Sequence, residues 1–125
     1  MDGKKYIEGR DLALAAARFA DEKQAENVLV LDLTGISTVA DFFVLCTGSS
    51  TPHLKAIYRE VDERLSLDHG VETRGKEGLP ESQWLVLDYV DVIVHVLHRE
   101  QREHYALEDL WSDADRVVID FLPAS

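Results

Sequence analysis

The stretch LDYVDVIVHVLHRE, residues 87–100, brings Asp88, Asp91 and His95 close together. Carboxylates that converge with an imidazole can run acid–base chemistry, or hold a metal for phosphoryl transfer. Two-metal chemistry usually takes two acids at i and i+2 on one strand, side by side. Here the acids are three apart and straddle an expected turn, a spacing that on a strand sends them to opposite faces. Alternation puts Asp91, Ile93, His95 and Leu97 on one face and Val92, Val94 and Val96 on the other. Asp91 and His95 are then about 13 Å apart along the strand, beyond direct hydrogen bonding. A partly buried, satisfied histidine is the simpler expectation, and the acids form no strong catalytic pair.

A second candidate is CTGSS, residues 46–50, just before a helical pattern. A strand, a Gly-Ser and a helix start make a place where free N–H groups and the helix dipole favour phosphate. Nucleotidyltransferases use a Gly-Ser at such a junction. The P-loop lysine is missing, and so is a three-glycine dinucleotide fingerprint. The same small polar residues are what a helix cap requires. His53, His69, His95, His98 and His104 are scattered, with no helical i, i+4 pair of the zinc-protease kind, so no dedicated metal site is expected. Finally, Trp84, Tyr105, Glu108, Asp109 and Trp111 set large aromatics among acids. That suits an interface for a basic protein. It suits ordinary packing of a last helix equally well.

The elements that must position these residues can be read from periodicity. Residues 10–24 carry Leu12, Ala16, Phe19 and Ala20 at helical spacing, with Asp11 near the start. Residues 27–33 and 41–47 read as strands, the second apolar on both faces and so central. Thr51 as N-cap and Pro52 as first helical residue open a helix to about Asp68, with Leu54, Ile57, Tyr58, Val61 and Leu65 as its stripe and Gly70 as its stop. Residues 71–82 read as a short extended piece and then a loop, since glycines at 75 and 78 and a proline at 80 argue against regular structure. Residues 83–88 and 91–97 form two strands around Tyr89-Val90, residues 100–111 a helix, and 116–122 a last short strand. Alternation of helix and strand followed by a hairpin predicts one α/β domain with a mixed sheet and flanking helices.

The 125 residues suit one domain, and 46% apolar content is enough for a core. No apolar run reaches the roughly 18–20 residues of a membrane span. No signal peptide is visible, so a cytoplasmic setting is expected. The lone Cys46 excludes an internal disulfide and reads as a buried core residue. Thirteen basic against 24 acidic residues leave a net charge of −11. A phosphate backbone repels such a surface, so direct sequence-specific nucleic-acid binding is disfavoured and a basic partner fits better.

The ordered set ADFFVLCTGSSTPHLKAI, then Trp84, then DVIVHVL, then REHYALEDLW resembles the ribosomal silencing factor, or Iojap-like, family. The resemblance is colinear from about residue 12 to 113, a core of about 10–113 within a domain of 1–125. It implies a nucleotidyltransferase-like α/β fold without the full catalytic acids, and hence no enzyme and no cofactor. It further implies binding to the large ribosomal subunit through its fourteenth protein, a basic protein, and a steric block on joining with the small subunit under nutrient limitation. A homodimer is implied for the free form. Partner contacts are expected from Trp84, Asp88, Asp91, Tyr105, Glu108 and Trp111. A role in large-subunit assembly, or a small nucleotidyltransferase working through Gly48, Ser49 and the acids, are the alternatives. One departure is Val90, where the family usually has glycine, so the turn must do without the easy positive φ of glycine.

Overall fold

The computed structural model describes residues 6–77, 83–105, 114–119 and 121, with backbone alone at 77 and 103–105. Its elements are α1 (Gly9–Glu22), β1 (Glu26–Asp32), β2 (Phe42–Gly48), α2 (Thr51–His69), β3 (Gly75–Glu77), β4 (Trp84–Asp88), β5 (Val92–His98), α3 (Arg99–Tyr105) and β6 (Asp115–Arg116). The strands form one sheet in the order β3-β4-β5-β2-β1-β6. Among the described strands only β2 and β5 run parallel, from Phe42 against Val92 to Gly48 against His98. The other pairs are antiparallel, so the sheet is mixed as expected.

Burial follows from that order. All seven residues of β2 are buried, because it lies inside the sheet with both faces covered. Val44 and Cys46 pack with Leu12, Ala16 and Ala20 of α1 and Leu54, Ile57, Val61 and Leu65 of α2. Phe43 and Leu45 join Leu31, Ile93 and Leu97 on the opposite face. The alanines of α1 let that helix lie close to the sheet, and alanine is also the best helix former. Each fully buried leucine here is worth about 2–5 kcal/mol against alanine.

Caps explain where α2 begins and ends. Ser50, not Thr51, is its N-cap: the Ser50 hydroxyl accepts from the His53 N–H at 3.2 Å, and Thr51 and Pro52 are already helical. A serine accepts from N3 as readily as a threonine, and proline needs no N–H anywhere in the first turn. Gly70 ends the helix at φ 66, and the Val71 N–H reaches back to the Leu65 carbonyl at 3.0 Å.

Three expectations move. Residues 71–82 were expected as a short extended piece and then a loop, with Gly75 arguing against regular structure, yet Gly75–Glu77 pairs with Val86–Asp88 as a short edge strand. An edge strand tolerates glycine, because only one side must pair. The last strand sits at Asp115–Arg116 against Leu31 and Asp32, earlier and shorter than 116–122. The hairpin turn is Val90-Asp91, one place later than Tyr89-Val90, because the Tyr89 N–H still pairs with the Val92 carbonyl at 2.9 Å.

Candidate docking surface

At the Gly48–Ser49 junction two of the phosphate-type donors, the Ser49 and His53 N–H groups, are occupied. His53 Nε2 faces the Lys23 carbonyl at 2.8 Å, an acceptor, so Nε2 must carry the proton. Its Nδ1 therefore accepts from the Ser49 N–H at 3.0 Å. The His53 N–H is spent on Ser50. The histidine thus ties the start of α2 to the end of α1. Gly48 is needed for close approach: a Cβ there would stand 2.7 Å from Leu54 Cδ2 and 3.2 Å from its backbone nitrogen.

The hairpin separates its two acids. Asp88 closes β4, on the same face as Trp84 and Val86, since residues i, i+2 and i+4 of a strand share a face. Its carboxylate accepts from Arg74 at 2.7 Å and from the Val90 N–H at 2.8 Å. Burial pushes its pKa up, but these donors outweigh burial and hold the carboxyl below its ordinary range. Asp91 turns the other way. Its Oδ2 accepts from the Gly9 N–H at 3.0 Å, serving the start of α1, where Glu8 supplies no side-chain cap. Its carbonyl takes the N–H groups of Asp41 and Phe42 and so starts the β2–β5 ladder. The expected shared face of Asp91 with His95 is therefore corrected: β5 begins at Val92, and alternation does not extend back into the turn. Ile93 and Leu97 do share a face, and the His95 ring packs on it, 4.7 Å from Phe43.

Trp84 and His95 form a unit across β4 and β5. The indole N–H donates to His95 Nδ1 at 3.2 Å, which leaves the histidine proton on Nε2. That atom is buried and has no partner among the described residues. Burial lowers the His95 pKa to about 4, so the ring is neutral near pH 7.

Of the six residues expected to meet a partner, Trp84, Asp88 and Asp91 lie on or beside this hairpin. For Tyr105 only the backbone is described, at the end of α3, and Glu108 and Trp111 lie outside the described residues. Sequence reasoning passed over three exposed apolar side chains at the Asp88 end of the sheet: Ile36, Val39 and Val90. The loop carrying Ile36 and Val39 meets the turn through Asp41 and Asp91. Isolated apolar residues in the polar run TGISTVAD were the available signal. Among the described residues no three His, Cys, Asp or Glu side chains gather as a metal site would require. None of the described helices is long and apolar enough to cross a membrane.

The family model described as ribosomal silencing factor during starvation matches residues 7–125. The chain is 42% identical over 106 residues to the ribosomal silencing factor RsfS of Bacillus subtilis, covering 85% of this chain and 89% of that protein. A crystal structure from Chromobacterium violaceum superposes with a TM-score of 0.80 at 26% identity, over 85% of this chain and 88% of that one. One from Bacillus halodurans gives 0.74 at 35% identity, over 88% of this chain and 99% of that one.

Proposed function

The chain belongs to the ribosomal silencing factor family, and from that premise we propose that it binds the large ribosomal subunit and blocks joining with the small one when nutrients are short. The partner in this reading is the subunit's fourteenth protein, a basic protein. The family match across residues 7–125 carries the reading. The chemistry of the candidate sites supports it. Asp88 and Asp91 point to different neighbours, and the Ser49 and His53 N–H groups are committed to internal bonds, so the residues favour binding over group transfer.

In this reading Trp84, Tyr105 and Trp111 anchor the contact, and Asp88, Asp91 and Glu108 face lysines or arginines of the partner. A partner cation at Asp88 competes with Arg74, whose side chain is 60% exposed and easily displaced. The remaining bulk of the domain then obstructs the small subunit.

The test is co-sedimentation of the purified protein with separated large and small subunits, followed by a joining assay. Binding to the large subunit alone, with joining suppressed in proportion to occupancy, is expected. Trp84→Ala is expected to weaken binding by about 2 kcal/mol, roughly 30-fold, if the anchor is central. Asp88→Asn with Asp91→Asn keeps acceptors for Arg74, Val90 and Gly9 while removing both charges. Unchanged affinity in that pair would remove these acids from the contact, and undiminished joining at saturating wild-type protein would end the proposal.

A further inference from the structure

A cleft of about 530 Å³ opens between α2 and the β3–β4 edge, lined by Lys55, Tyr58, Arg59, Asp62, Glu63, Lys76 and Leu85. Three cations in one cleft are unexpected on a chain with 24 acids and 13 bases. Elsewhere four arginines meet carboxylates: Arg10 with Asp32, Arg64 with Glu22, Glu60 and Asp68, Arg74 with Asp88, and Arg99 with Glu26; Arg18 lies over the Phe121 ring and Arg102 donates to the Asn27 carbonyl and Thr47. Inside the cleft Lys76 is neutralised by Asp62 at 2.9 Å, and the Tyr89 hydroxyl donates to the same carboxylate at 3.4 Å. Lys55 and Arg59 hold no carboxylate among the described residues. They stand at i and i+4 on α2, about 5–6 Å apart at Cβ, where like charges destabilise a helix.

We propose that this cleft binds a small phosphorylated molecule carrying hydroxyl groups. A phosphate between Lys55 and Arg59 relieves their repulsion, and the guanidinium fork can meet two of its oxygens. Glu63, one turn beyond Arg59, accepts from hydroxyls and repels a second anion, so the site takes one phosphoryl end and a polar body. The Tyr58 ring and Leu85 supply an apolar wall, and the volume lies in the range of small-molecule sites. Leu85 packs on the helix side of the sheet, whereas Trp84 packs on the other. The cleft is therefore separate from the docking surface, and its occupancy can be measured without ribosomes.

The experiment is a ¹⁵N chemical-shift titration of the full chain with ribose 5-phosphate, with inorganic phosphate and ribose as parallel arms. Saturable shifts confined to residues 55–63, 76 and 85 are expected with ribose 5-phosphate, weaker ones with phosphate, and none with ribose. Lys55→Gln with Arg59→Gln, at exposed positions that glutamine fills without loss of helix, is expected to weaken binding about tenfold or more. Lys23→Gln, outside the cleft, should leave it unchanged. Shifts that fail to saturate or scatter over the surface overturn the proposal. So does an unaltered affinity in the double variant, or an equal response to ribose. A single-stranded RNA oligonucleotide that shifts these residues when ribose 5-phosphate does not would reassign the cleft to nucleic acid and overturn it too.

Discussion

Val90 is a β-branched residue at φ 78, a region that such side chains rarely enter. The Asp91 N–H closes the three-residue turn onto the Tyr89 carbonyl at 3.0 Å, and Asp88 holds the Val90 N–H, so the surroundings impose the conformation. Val90→Gly is therefore expected to stabilise the fold by about 1 kcal/mol, read as a higher urea midpoint at unchanged slope. No rise in midpoint would mean that the turn is not strained. His95 gives a second prediction. Its pKa is 6.5 unfolded and about 4 folded, so between those values the unfolded chain binds more protons. Stability is complete above pH 6.5 and falls as pH drops toward 4, by up to about 3 kcal/mol. His95→Gln keeps an acceptor for Trp84 without titrating. It should flatten stability between pH 6.5 and 4, leaving only the carboxylate contribution, and an unchanged slope would show that His95 is not its source.

The helix and strand elements depend on a few contacts that allow no extra atom. The end of β2 and the first turn of α2 touch at Gly48, against a Leu54 that is fully buried. Gly48→Ala must displace that leucine or the backbone beside it, and a loss of about 1–3 kcal/mol is expected in thermal or denaturant melts. A melt equal to wild type would mean that the junction has slack. Much at this scale was legible in advance. The stripe of Leu54, Ile57, Val61 and Leu65, the stop at Gly70 and the apolar β2 all follow from side-chain period and local cap chemistry. The β3 edge and the position of β6 were not legible, because a strand of two or three residues has no periodicity and exists only through its partner.

For the molecule as a whole, the charge of −11 makes a prediction with a definite sign. If the partner is basic, association with large subunits should slow as salt rises, about tenfold between roughly 50 and 200 mM, with dissociation little changed. Contact dominated by RNA phosphates would show the reverse, because salt would screen repulsion. Stopped-flow or surface-based rates at several salt concentrations distinguish these. The internal ion pairs leave this field intact, since each neutralises an acid with one of only 13 bases.

By itself the sequence determined the class of the fold, the faces of its long elements and the family, because period, capping and colinear motifs are written in neighbouring residues. Tertiary structure alone decided what the polar residues do. Asp91 reaches Gly9, 82 positions away, Trp84 meets His95 across two strands, and Lys76 of β3 meets Asp62 of α2. A hydrogen bond or ion pair is made by whichever groups the chain's closure brings within about 3 Å, and no local pattern encodes that meeting.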